Sequence, residues 1–463
     1  MEDTSVTGKL LLKGQIKIKT PLIIGSGEKN SDVDITLLKD SAGNPYIPAT
    51  SFAGVLRHYF YEHAEIEENE KEQLRYFWGD DDERKETSIC QSALFISDLT
   101  SANKSVIKIR DGVAIDNKKG IAKEGKKYDY EVLEPGALFN LKMEITFRSK
   151  TYDKQIFVKI LAFLIKALKE NYISVGAMTT KGFGRCKLIN EEIYELDFNR
   201  KEDVIALLSG DMNLIRQGCT TIDINDTYPM KTKEFTIESL FEIKNSLIVR
   251  AYSGDPLAPD AMHILSNGHP VLPGTSIKGA IRSRAVRIIN TLGSNGEELI
   301  KRLFGWVDDE GVSKEKYKSR VIIEEEKISN IASEIQSRIK IDRFTGGVIK
   351  TALFEIMPLW PVVSDKEMVS IKIRIKNYDD WEAGLLLLVL KDLWNADLPI
   401  GGEKSIGRGV LKGIQANISF GEKISISAGI NNKINLSGSA EKLEYFVQAF
   451  LAKCKEMEVF NVL

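Results

Sequence analysis

From Leu10 to Ile24 lysines alternate with apolar residues, and Leu12, Ile16 and Ile18 fall on one side of an extended chain. That period of two predicts a strand with one buried face, and Phe235 to Val249 repeats it. Farther along, Phe52, Val55, Leu56, Tyr59 and Phe60 keep helical spacing behind Thr50-Ser51, and Ile277, Ala280, Ile281 and Ile288 do so behind Thr275-Ser276. A hydroxyl at each head predicts a capped helix start. Short apolar strands are expected at Ala93 to Ile96 and Val321 to Ile323, and longer ones at Leu138 to Phe147 and Ser370 to Ile375. The stretches around Ile115-Asp116 and Ile341-Asp342 look polar and irregular. Amphipathic helices follow at Lys154 to Lys169 and Asp380 to Trp394, each before a Gly-rich turn and a last strand. The order β-α-β-β-α-β, run through twice, predicts an α+β fold of two tandem ferredoxin-like (RRM-like) domains. Their expected bounds are 1–190 and 234–463, the second closed by a helix from Ala440 to Glu456. Residues 191–233 are expected to form a linker with a short helix near Asp203 to Leu208.

The duplication is also visible letter by letter at an offset of about 225 residues. Gly43-Asn44-Pro45-Tyr46-Ile47-Pro48-Ala49-Thr50-Ser51 returns as Gly268-His269-Pro270-Val271-Leu272-Pro273-Gly274-Thr275-Ser276. Ala114-Ile115-Asp116 is answered by Lys340-Ile341-Asp342, and Lys181-Gly182-Phe183-Gly184-Arg185 by Lys404-Ser405-Ile406-Gly407-Arg408. Three echoes in one order make coincidence a poor explanation.

Composition narrows the class. Apolar residues make up 43% and charged ones 28%, and the longest apolar runs are too short for a bilayer, so no membrane partner is expected. The acidic start Met1-Glu2-Asp3 lacks the build of a secretory signal, which predicts a cytoplasmic protein. Cys90, Cys186, Cys219 and Cys454 lie far apart, without zinc or disulfide spacing. A net charge of −2 hides 64 basic and 66 acidic side chains, so a polyanion would have to be held by local clusters.

Such clusters exist. In the first Gly-rich turn Lys181 and Arg185 flank Gly182 and Gly184; in the second, Lys404 and Arg408 flank Gly407. Glycines allow backbone amides to approach a phosphate, and the basic neighbours add charge-assisted contacts, although a tight helix-to-strand turn uses the same residues. The helix behind Ser276 carries Lys278, Arg282, Arg284 and Arg287, either a solvated basic face or cations gathered at an anion-binding helix end. Its twin behind Ser51 has only Arg57 and His58. The histidines His58, His63, His263 and His269 stand singly and suggest surface or packed imidazoles rather than an acid-base pair. Asp32 and Asp34 end a Gly- and Ser-rich loop after the first strand, and Asp260 ends the matching loop of the second copy. Beside bound RNA, a loop aspartate can hold a hydrated magnesium ion; it is equally a common turn residue.

Taken together, Pro48-Ala49-Thr50-Ser51-Phe52-Ala53-Gly54 with Arg57, Pro273-Gly274-Thr275-Ser276-Ile277-Lys278-Gly279 with Arg282, and the two Gly-rich turns resemble the RAMP superfamily of CRISPR-associated proteins. The likeness is closest to the backbone subunits of type III effector complexes. Arg110 to Asp116 and Ile341 to Gly347 look like that family's thumb insertions, with Arg343 and Phe344 at the second tip. The resemblance implies a subunit that stacks along a guide RNA (crRNA) with other subunits of a CRISPR effector complex. It also implies that complementary target RNA is cut beside bases displaced by the thumbs. Asp34 matches the family's catalytic loop position, with Asp32 before it; Asp260 is the second copy's match, and either would hold a divalent metal ion, Mg2+ or Mn2+. A subunit that binds guide RNA without cutting is the alternative. Two modules in one chain look like the fused subunits of type III-D systems.

Overall fold

A computed structural model describes residues 5–460, apart from 29–32, 80–89, 117–118, 149–151, 212, 216–224, 232, 253–254, 256, 294–295, 308–315, 363–367 and 430–432. The chain divides into two compact units. The first comprises Met1–Ile109, Asp129–Thr179 and Phe183–Thr232; the second comprises Arg110–Tyr128, Thr180–Gly182 and Lys233–Leu463.

In the first unit the ordered elements are β1 (Val6–Ile18), α1 (Ala49–His63), β2 (Leu94–Ile96), β5 (Leu138–Arg148), α2 (Lys154–Lys169) and β6 (Cys186–Asp197). Between β2 and β5 in the chain lies a hairpin of β3 (Ile107–Ile115) and β4 (Ala122–Leu133), of which Arg110–Tyr128 is counted with the second unit. The sheet runs β2-β5-β1-β6, antiparallel throughout, which is the ferredoxin-like order expected from the sequence. Leu10, Leu12, Ile16 and Ile18 of the central strand are buried, as are Phe52, Leu56 and Phe60 of α1 and Ile160, Leu161 and Leu164 of α2. Leu11 points the other way because successive strand residues alternate faces, and it clusters with Tyr194, Ala206 and Ile215. Ala206 belongs to α3 (Lys201–Ser209), the short helix expected in the linker, and residues up to Thr232 are counted with this unit.

The second unit repeats the plan with β7 (Glu234–Ile243), β8 (Arg250–Ala251), β9 (Ala261–His263), α4 (Gly274–Thr291) and β10 (Val321–Ile323). A second hairpin, β11 (Gln336–Ile341) and β12 (Val348–Met357), precedes β13 (Val369–Lys376), α5 (Asp380–Trp394) and β14 (Leu411–Ser419). Two further strands, β15 (Lys423–Ala428) and β16 (Ile434–Ser437), extend the sheet to β10-β13-β7-β14-β15-β16, and α6 (Ala440–Phe460) closes the chain. Helix α6 lies tight on α5 because Gly384 has no side chain there: a Cβ would sit 2.0 Å from the Phe446 carbonyl oxygen. The contact buries Phe450 completely, a gain of roughly 2–3 kcal/mol. No helix of the described residues is long and apolar enough to cross a membrane.

Two local expectations are corrected. The stretches around Asp116 and Asp342 are regular hairpins, not irregular loops. Their strands lie largely in solvent, with Ile109, Val113, Ile339, Ile341 and Leu353 exposed, so no buried face imposes the alternation that would betray them in sequence. Both helix starts are also shifted. Pro48 and Pro273 stand at the N-cap positions without a side-chain cap, and Thr50-Ser51 and Thr275-Ser276 lie inside the first turn. In the first unit the cap comes from afar, Asp98 Oδ1 accepting from Ala49 N at 2.7 Å.

Candidate nucleic-acid interface

Two motifs that lie far apart in sequence meet inside the second unit. Lys278, in the first turns of α4, is only 6% exposed, and its ammonium donates to the carbonyls of Thr180 (3.0 Å) and Val321 (2.8 Å). Burial, then the charges of Lys181 and Arg282, bring its pKa from 10.5 down to about 7. Lys181 is lowered too, by burial and by Arg282, and burial lowers Arg282. The buried Nε of Arg282 has no hydrogen-bond partner. Among the described residues none of these three cations forms an ion pair. Like charges desolvated together destabilise one another, and the arrangement is relieved when an anion enters. The neighbouring start of α4 adds the positive end of the helix dipole. Ser276 sits in that first turn, half-buried. The other basic residues of α4 diverge: Arg284 is paired with Asp392 at 2.6 Å and Arg287 is exposed. The counterpart in the first unit is weaker, with Ser51 exposed and Arg57 lying 5.9 Å over the Tyr61 ring.

The Gly-rich turns do not form phosphate cradles. The amide of Gly184 donates to Pro21 O and that of Gly409 to Ser246 O, so both point into the protein. Gly184 has φ +74° and approaches so closely that a Cβ would lie 1.8 Å from Val175 O; at Gly182 a Cβ would lie 2.5 Å from Glu324 Cα. These glycines serve backbone packing. Arg185 donates through Nε and a terminal nitrogen to Asn171 O near the end of α2. Arg408, expected at the RNA, is 3% exposed, with its guanidinium on Glu403, Ser246 and Gln336. Glu403 also pairs with Arg250 and Arg338, a network the sequence did not suggest. Gly407 gives its carbonyl to Asn245, and Lys404 remains at the surface of the short turn Lys404–Ile406. His63 and His263 are packed inside; burial brings His263 down to about 4.

The loop aspartates occupy one position in the two modules. Asp34 Oδ2 accepts from Asp129 N at 2.9 Å, and Asp260 Oδ2 accepts from Glu355 N at 2.8 Å. In each case the partner lies 95 residues on, in the strand returning from the hairpin. Each carboxylate is thus pinned at the base of a hairpin, with one oxygen outside that bond. Asp32 lies outside the described residues. Among the described residues no group of three His, Cys, Asp or Glu side chains is placed to hold a metal ion. A single exposed carboxylate suits only a hydrated Mg2+ or Mn2+ that takes its remaining ligands from water and RNA phosphates. At the hairpin tips Asp342 accepts from Phe344 N and Thr345 N, which leaves Phe344 fully exposed beside Arg343.

No curated protein matches the chain. A family model described as the RAMP superfamily matches it twice, over residues 15–187 and 240–412. Those ranges take in both helices and the hairpin of each repeat, with parts of its first and last strands, together with Asp34, Asp260 and the buried cations, and the chain therefore belongs to the RAMP superfamily, one copy of the module in each half.

Proposed function

We propose that this RAMP protein is an RNA-binding backbone subunit of a type III CRISPR effector complex, and that it cuts target RNA paired to the guide at Asp34 and Asp260. RNA binding is supported by family membership and by the cations Lys181, Lys278 and Arg282, which form no ion pair among the described residues. Cleavage is supported chiefly by one observation, the identical pinning of the two aspartates by hairpin-strand amides 95 residues away. Two modules in one chain are in keeping with a fused subunit that places two cuts along one target.

RNA carries its own nucleophile: lined up with the adjacent phosphate, the 2′-hydroxyl oxygen bonds to phosphorus as the bond to the 5′-oxygen breaks, losing its proton to water while water protonates the leaving 5′-oxygen, which gives a 2′,3′-cyclic phosphate and a 5′-hydroxyl. A regular duplex forbids that geometry; a nucleotide pushed out of the stack by a hairpin tip can reach it. Phe344 is the wedge in the second hairpin. Asp34 and Asp260, fixed by the amides of Asp129 and Glu355, orient the extruded nucleotide by the carboxylate oxygen that remains outside the bond. A divalent ion arriving with the RNA would supply charge neutralisation at the phosphate. The test uses the assembled complex with labelled complementary RNA. Asp34→Ala is expected to remove one cut and Asp260→Ala another, displaced along the target, with guide binding unchanged. Cutting at every site by both variants would leave the protein a passive guide-binding subunit.

A further inference from the structure

The loop that ends at Asp260 starts with an aromatic residue for which the cleavage reading has no use. Strands β8 and β9 pair antiparallel, Ala251 opposite Met262, so Tyr252 and Asp260 stand at the two ends of one loop in the second unit. Tyr252 is 59% exposed, and the Lys127 ammonium lies 5.3 Å from the centroid of its ring. Lys127 belongs to the part of β4 that lies in the second unit, where Lys123 and Lys126 are exposed with it, and it is braced by Asp111 at 2.9 Å.

A lone exposed tyrosine would mean little. Here it is joined to a strand rich in lysine, carries a cation beside its ring, and borders the loop of a candidate catalytic carboxylate. Aromatic rings set among basic side chains are what single-stranded nucleic acid requires, because bases stack on the ring while cations follow the backbone. The equivalent position of the first module carries no aromatic ring. At the offset that equates Asp34 with Asp260, Tyr252 corresponds to Ser26, whose hydroxyl is engaged with Thr36 Oγ1 at 2.8 Å.

We propose that Tyr252 is a stacking platform for one unpaired nucleobase of the RNA strand passing Asp260, with Lys127 holding the adjoining phosphate. Stacking would fix the nucleotide next to the carboxylate without reading its identity, and only the second module would have this aid. The inference rests on the RNA-binding reading above but not on cleavage.

The test measures binding of a short fluorescein-labelled oligouridylate to the purified full chain by anisotropy. Tyr252→Ala is expected to weaken binding roughly 5- to 100-fold, the range known for loss of one stacked base. Tyr252→Phe should bind as the wild type does, since a phenyl ring stacks equally well. Lys127→Gln should weaken binding less and make it less sensitive to salt. If the wild type binds and Tyr252→Ala binds equally well, the platform is refuted while the RNA-binding reading stands. A wild-type chain that binds no oligouridylate overturns both.

Discussion

Replacing Lys278 by methionine removes the most deeply buried of three unpaired cations while keeping most of its volume. The pKa displacement from 10.5 to about 7 corresponds to at most about 5 kcal/mol of penalty on the charged form, at about 1.4 kcal/mol per unit. The sign follows from proton binding. Between about pH 7 and 10.5 the unfolded chain holds this proton and the folded chain does not, so stability rises with pH across that window, and the penalty is complete below it. A bound phosphate reverses the balance by favouring the ammonium. RNA binding should then take up a proton above pH 7, and affinity should fall as pH rises from 7 to 9, by about tenfold or more if the anion restores at least two units. Lys181, shifted in the same direction, adds to the slope. Anisotropy titrations with RNA at several pH values, in a strongly buffered constant-salt series, read it directly. Lys278→Met should bind more weakly at pH 7, show a flattened pH profile, and be no less stable to urea there. A variant that keeps wild-type affinity and the wild-type slope would refute the anion site at α4.

Other outcomes follow from the same geometry. Shortening the tip from Arg343 to Gly347 should leave thermal stability unchanged and abolish the cut beside that hairpin, as product lengths would show. Gly184→Ala, forced against Val175 O in a left-handed conformation, should destabilise the protein by about 3 kcal/mol in urea unfolding. Arg408→Ala should cost less, about 1–3 kcal/mol, by removing the donor to Ser246, Gln336 and Glu403 while Arg250 and Arg338 still hold Glu403, with any loss of RNA affinity following from unfolding rather than preceding it. Chelation of divalent ions should stop target cleavage while guide RNA stays bound, as gel shift and product analysis on one sample would establish.

Much of the architecture was legible because it rests on short-range patterns. The alternation in β1 and β7, the helical stripes of α2 and α5 and the duplicated Pro-Thr-Ser segments predicted both modules, with α2 and α5 starting and ending where expected. The hairpins escaped because strands solvated on both sides carry no apolar code. Asp34 and Asp260 were matched as loop residues, yet the amides that pin them lie 95 residues away and leave no local mark.

The order of elements, the repetition and the inventory of basic and acidic side chains are properties of the sequence alone. Which cations act together was decided by tertiary structure. Arg185 and Arg408 looked equivalent to Lys181 and Lys278, but Arg408 found a carboxylate inside the fold and Arg185 a carbonyl, whereas Lys278 rests on two carbonyls and, among the described residues, it, Lys181 and Arg282 were brought together without a carboxylate. The physical reason is that whether folding strips a charged side chain of water, and whether it supplies a counter-ion, depends on every segment packed around it.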